Sequence, residues 1–220
     1  MNEPQQSRLS DQRSFRVLAV AAVTAAVVQV ALGGVVRATG SGLGCPDWPL
    51  CHGGIIPPLD SASLIEYSHR VSASVLGLVV VALAILAFVR YRSDRWTVTP
   101  AVVAVALVLV AAALGGLTVW SELDWWFRLL HLAVAELIVA CLAVVSVAGW
   151  NARGLGTRVG ISVDRTGILS LGSAMGLYVL ILYGSYMVGL GYGASCATWP
   201  LCQGSVLPSG APYMVHMLHR

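Results

Sequence analysis

Long apolar stretches separated by short polar ones run the length of the chain. Five of them, at residues 15–36, 67–89, 101–120, 127–149 and 166–190, are each long enough to cross a hydrocarbon core, which takes about 20 apolar residues. A sixth stretch begins near Tyr213, close to the last residue, Arg220. Within lipid, a single segment satisfies all its backbone hydrogen bonds only as a helix. The pattern therefore predicts an all-α fold: a polytopic transmembrane helix bundle with five complete spans and the start of a sixth. The first stretch is too long for a removable signal peptide and lacks a small-residue cleavage site at its end, so it reads as a retained span.

The polar stretches repeat one another. Cys45-Pro-Asp-Trp-Pro-Leu-Cys51 is followed by His69-Arg70, and Cys196-Ala-Thr-Trp-Pro-Leu-Cys202 by His219-Arg220. Both the words and the spacing recur, which implies two related half-molecules, each with a cysteine-bearing loop leading into a helix that starts with histidine. The organisation expected is a tail at 1–14, an N-terminal four-helix half at 15–150, a linker at 151–165 and the start of a C-terminal half at 166–220.

Composition agrees with the pattern. The chain is 57% hydrophobic and 10% charged, with a mean hydropathy of +0.80, which a soluble fold of 220 residues could not coat. The net charge of +3 is accordingly no sign of nucleic acid, and the lipid bilayer is the expected partner. All 13 basic residues are arginine. Nine of them flank the spans on one side: Arg8, Arg13, Arg16, Arg90, Arg92, Arg95, Arg153, Arg158 and Arg165. Arginine-rich short loops stay in the cytoplasm. The N-terminus is thus expected inside, with the loops at 37–66, 121–126 and 191–212 outside.

That placement puts four cysteines in an oxidising compartment, where disulfides are expected. Three connectivities are open; the identical spacing favours local pairing, Cys45 with Cys51 and Cys196 with Cys202. A structural staple and a redox-active bridge both fit. Cys141, in mid-span, reads as a small buried hydrophobe.

His69 and His131 fall a few residues inside spans that both enter from the outside, at similar depth. Two histidines so placed on separate helices can ligate one haem iron axially, and His219 repeats His69. Glu66 and Arg70 share a helical face with His69. Glu66 is a candidate proton-moving group or simply the partner of Arg70; Arg70 is a candidate for a haem propionate or for Glu66. Arg37, Arg128 and Arg220 also lie at the outer edge, where propionates or lipid phosphates would be met. Glu136, His52 and His216 carry no assignable role.

The run Gly33-Gly-Val-Val-Arg-Ala-Thr-Gly-Ser-Gly-Leu-Gly-Cys-Pro-Asp-Trp-Pro-Leu-Cys51, with Glu66-Tyr-Ser-His-Arg70, the His131 span, the second cysteine loop and His216-Met-Leu-His-Arg220, resembles haem A synthase, in its bacterial form with cysteine-bearing outer loops. The resemblance implies an eight-span, pseudo-twofold architecture in the bacterial cytoplasmic membrane, and oxidation of the C8 methyl of haem O to the formyl of haem A. It implies haem b as cofactor and haem O as substrate, supplied by a haem O synthase, with the product serving terminal oxidase assembly. By motif, His69 and His131 would be axial ligands of substrate haem, Glu66 the essential carboxylate, Cys45 and Cys51 the outer-loop disulfide, and His219 a ligand of haem b. A second ligand for His219 is expected beyond Arg220, so the chain by itself is expected to be inactive, or to be one fragment of a split or truncated gene. A homo-oligomer is compatible with all of this.

Two other classes are open to the sequence. A membrane b-type cytochrome passing electrons from quinone would use His69 and His131 but needs neither Glu66 nor the cysteine loops. A membrane thiol-disulfide oxidoreductase would use the cysteines, yet the chain lacks the expected C-x-x-C and the histidines would then be idle.

Overall fold

The computed structural model describes residues 3–151 and 164–220. Six helices follow one another: α1 Glu3–Ala38, α2 Ser61–Arg90, α3 Arg95–Trp120, α4 Trp125–Asn151, α5 Arg165–Gly189 and α6 Ala211–His219. Five of them are long and apolar enough to cross a membrane, and each covers one of the stretches read from the sequence, the fifth all but its last residue. Among the described residues there is no strand beyond two isolated bridges. The protein is a helical membrane bundle. Most of the 151–165 linker, with Arg153 and Arg158, lies outside the described residues.

Aspartate sets where the helices begin. Asp60 accepts from Ser63 N (3.0 Å), Asp94 from Trp96 N (3.1 Å), Asp124 from Trp126 N (3.0 Å) and Asp164 from Gly167 N (2.9 Å). Each thereby satisfies a donor the first turn leaves without an intrahelical partner. At the other end, Arg37 and Arg90 sit in the last turns of α1 and α2, where a cation complements the helix dipole.

The chain forms two compact units, Met1–Leu123 with Val134–Gly160, and Asp124–Ala133 with Ile161–Arg220. In the first, Phe15, Ala19, Ala22 and Ala26 of α1 face Leu76, Val80, Leu83, Ala84 and Ala87 of α2, with Ala101 and Ala104 of α3 and Ile138, Leu142 and Val145 of α4 in the same core. The alanines recur every three or four residues, so one smooth face of α1 allows close helix approach. Large apolar side chains such as Leu78 (73% exposed) and Leu109 (67%) point outward instead, as spans surrounded by lipid tails allow. In the second unit the start of α4 packs on α5. Trp125 stacks edge-on to Tyr186 (5.6 Å between centroids), and Tyr178 Oη donates to Ala133 O (3.4 Å). Tyr183 Oη donates to Val215 O (3.3 Å), tying α5 to α6.

Candidate functional site

The first outer loop is closed by a Cys45–Cys51 disulfide and the second by Cys196–Cys202. Of the three pairings open to the sequence, the local one is present. The same antiparallel bridge follows each loop, Cys51 with Gly54 and Cys202 with Ser205. The residue after each loop, His52 (φ 52°) or Gln203 (φ 53°), takes the left-handed conformation, as does the glycine behind it.

Asp47 holds the first of these turns. Its two carboxylate oxygens accept from His52 N and Gly53 N, both at 2.6 Å, and His52 Nε2 in turn lies 2.9 Å from Gly44 O. His52, without a role in the sequence, is part of this turn. The Gly53 and His52 amides hold the Asp47 carboxyl below its ordinary value of 3.8. A depressed carboxylate contributes stability that is fully present above the unfolded value and is lost as pH falls through the folded one. The loop is therefore expected to be indifferent to pH above about 5 and to loosen below about pH 4. Asp47→Ala is expected to make the 52–60 segment sensitive to limited proteolysis at neutral pH. Equal protease resistance of variant and parent would show that the carboxylate does not hold the turn.

Below the loop stands Arg70, one turn into α2 from Glu66. Its Nε donates to Glu66 Oε1 (3.0 Å), Nη1 to Asp47 O (2.7 Å) and Leu50 O (2.8 Å), and Nη2 to Cys45 O (2.9 Å). Four of the five guanidinium donors are thus engaged. Of the two partners considered for Arg70 from sequence, Glu66 is in place, together with three loop carbonyls that have no side-chain signature. Glu66 is buried, at 6% exposure. The second copy reproduces the clamp: Arg220 Nη1 donates to Thr198 O (2.6 Å) and Nη2 to Cys196 O (2.9 Å), with the guanidinium 5.5 Å from the Trp199 ring. His216 replaces Glu66 there. It is buried, and its Nδ1 accepts from Cys196 N (3.2 Å), so it holds the second loop by a backbone N–H rather than by an ion pair.

One residue before each clamp is a histidine facing a glycine on the preceding span. A Cβ on Gly33 would lie 3.3 Å from His69 Cε1, and one on Gly184 would lie 2.6 Å from His219 Cε1. Gln29, one turn before Gly33, adds a polar contact to His69: its Nε2 lies 2.9 Å from both the ring Nδ1 and the backbone carbonyl of His69. Sequence reasoning passed over Gln29, although it is the only amide in the 15–36 stretch. His219 Nδ1 is buried without a hydrogen-bond partner among the described residues.

The remaining candidates lie on α1 and α4. His131 is half-buried on α4 and belongs to the second unit, whereas His69 belongs to the first. Arg128, also in the second unit, buries an Nε that has no partner among the described residues. Arg37 is exposed at the end of α1. Glu136 and the free Cys141 are half-buried on α4. Among the described residues no group of three or more His, Cys, Asp or Glu side chains could hold a bare metal ion. A histidine acting singly fits a metal whose other ligands come from a macrocycle.

A family model described as cytochrome oxidase assembly protein (COX15-CtaA) matches residues 16–64 and 60–220. The chain is 33% identical over 180 residues to a protein named heme A synthase from an Exiguobacterium species, covering 80% of this chain and 58% of that one. It is 29% identical over 197 residues to the heme A synthase of Exiguobacterium sibiricum, covering 88% and 65%. To that of Bacillus licheniformis it is 30% identical over 202 residues, covering 90% and 67%. The chain thus spans about three-fifths to two-thirds of the length of these relatives.

Proposed function

We propose that this chain, which belongs to the cytochrome oxidase assembly protein family, is an oxidoreductase component of haem A synthesis that binds haem O. Its reaction would oxidise the C8 methyl of haem O, by successive hydroxylations and loss of water, to the formyl of haem A for terminal oxidases, with an electron acceptor outside this chain taking up the four electrons released. The observation that carries this reading is the twice-built arrangement of a histidine set against a helix glycine beneath a disulfide loop clamped by the next residue, arginine. Haem supplies its own equatorial nitrogens, so the protein need offer only axial imidazoles and a flat, apolar slot. Glycines opposite both imidazoles leave those rings room against the helix.

In this reading His69 and His131 are the axial ligands of substrate haem, and His219 is a ligand of a haem b cofactor, which would serve electron transfer. Glu66, buried beside His69, is the carboxylate assigned to proton movement at the substrate. Arg128 is the cation assigned to a propionate, because its buried Nε has no partner among the described residues, and Arg37 is assigned to the outer rim. Arg70 and Arg220 hold their loops, and the disulfides keep each loop closed over its histidine helix. Arginine placement supports a cytoplasmic N-terminus with both cysteine loops outside.

Haem content tests this directly. Expressed in a host that makes haem O and purified in detergent, the chain is expected to carry haem b or haem O by the pyridine haemochrome assay. His69→Ala and His131→Ala are each expected to lose it. A chain that folds without haem, or that keeps its haem when His69 is replaced, would refute the assignment. An exchange-resistant haem b with haem O never bound would favour a b-type cytochrome instead.

A further inference from the structure

The two copies share a histidine and a glycine and differ in what stands behind the imidazole. In the first, Gln29 and Gly33 lie one turn apart on the same face of α1. Gly33 leaves room for the ring, and Gln29 Nε2 lies 2.9 Å from His69 Nδ1 and 2.9 Å from His69 O. Gln29 is itself held, since Ser72 Oγ donates to its Oε1 at 2.7 Å while lying 3.0 Å from His69 O. The second copy has no such group. Cys45 and Cys196 are 151 positions apart, as are Gly33 and Gly184, and the same offset carries Gln29 to Leu180. There the ring of His219 packs against Gly184 with its Nδ1 buried and without a hydrogen-bond partner among the described residues.

We propose that Gln29 is a positioning residue for His69: through Nδ1 it fixes the rotation of the imidazole, and Ser72 fixes Gln29. The inference rests on the haem reading above and makes the two histidines unequal as ligands. As placed, the amide nitrogen donates to His69 O and faces Nδ1. An imidazole that ligates iron through Nε2 carries its proton on Nδ1, which the amide meets with Oε1 after a half turn about its last bond, Ser72 Oγ then accepting from Gln29 Nε2. An imidazole whose Nδ1–H donates to an acceptor is better oriented and more basic at Nε2, and a more basic ligand stabilises ferric over ferrous iron. The amide thus sets His69 apart as the better-held and more electron-donating ligand. An amide in the middle of an apolar span is costly unless it is paired, and here both of its ends are paired within one turn of the histidine.

The test is a titration of the detergent-solubilised chain with haem b, followed by redox titration, for the parent, Gln29→Leu and Gln29→Glu. Gln29→Leu, which installs the residue of the second copy, is expected to weaken haem binding about 10- to 100-fold, the usual effect of removing a group that supports a metal-ligating histidine, and to raise the midpoint potential. Gln29→Glu offers Nδ1 a stronger acceptor and is expected to keep haem bound and to lower the potential below that of the parent. A residue that only filled space or satisfied the backbone would leave the potential alone. Unchanged affinity and potential in Gln29→Leu, or shifts of the same sign in both variants, would overturn the proposal while leaving the haem reading standing. If Gln29→Leu does not fold, the Gln29→Glu potential decides: below the parent supports the proposal, and equal or above overturns it. A parent chain that binds no haem overturns both readings.

Discussion

Replacing Arg70 by leucine is expected to destabilise the outer end of the first unit by about 3–5 kcal/mol, the usual consequence of leaving a buried charge without its partner. Glu66 and Arg70 are 3.0 Å apart, with side chains only 8% and 14% exposed. The substitution leaves the Glu66 carboxylate in place and strips hydrogen bonds from the carbonyls of Cys45, Asp47 and Leu50. Glu66→Gln should cost far less. It removes one charge, yet Arg70 keeps its three carbonyls and an amide oxygen can still accept from Nε. Arg70→Lys should fall between, because an ammonium is a point donor that cannot span a carboxylate and three carbonyls at once. The ranking Arg70→Leu, Arg70→Lys, Glu66→Gln in order of decreasing loss can be read from thermal midpoints in detergent. Equal losses for Arg70→Leu and Glu66→Gln would mean that the ion pair alone matters and that the loop is not held by arginine. If Arg70→Leu lowers the midpoint as expected, adding Glu66→Gln to it should restore part of the loss, because the stranded charge is then gone.

How much of this was legible in the sequence depended on whether a feature has a side-chain signature. The spans were, because runs of about 20 apolar residues have few other solutions in so uncharged a chain. The local disulfides were half legible. Identical spacing pointed to them, and only geometry removes the other two connectivities. Arg70 was visible as a residue but its destination was not, since three of its four partners are backbone carbonyls, which every residue owns. The repeat was legible as words, but it hid a difference in chemistry. His216 occupies the position of Glu66, yet it accepts a backbone N–H from Cys196 where Glu66 accepts from a guanidinium. Gln29 shows in the sequence as an amide stranded in an apolar run, but its partners His69 and Ser72 lie 40 and 43 positions further on, on another helix. The glycines in the approach to the first loop, Gly40, Gly42 and Gly44, are plain in the sequence. Which of them is indispensable requires knowing what each one faces.

Gly44→Ala is expected to be the most damaging of the alanine substitutions in that approach. A Cβ there would overlap the carbonyl group of Ala62 and come within 2.7 Å of Ser63 N, all backbone atoms at the start of α2. Backbone cannot swing aside as a side-chain tip can, so the loop must lift off the helix. That lift would break the bonds that Gly44 O receives from Ser63 Oγ (2.7 Å) and His52 Nε2 (2.9 Å). The cost is expected at or above the upper end of the ~1–3 kcal/mol typical of overpacking. The neighbouring glycines provide the controls. Gly40 has a φ of 68° with open space around its Cβ, so alanine there costs about 1–2 kcal/mol of left-handed strain. Gly42 would place a Cβ 3.1 Å from Leu123 Cδ2, a side-chain methyl that can turn away, so its alanine variant should lose less than ~1 kcal/mol. Turn geometry is not the reason for glycine at 44, since it is absent from the positive-φ residues and the equivalent position in the second loop is Ser195. Thermal midpoints in detergent should therefore fall most for Gly44→Ala, less for Gly40→Ala and least for Gly42→Ala. A Gly44→Ala chain as stable as the Gly42→Ala one would show that the first loop does not rest on α2 as closely as described, and with it the clamp that Arg70 builds from the same contact.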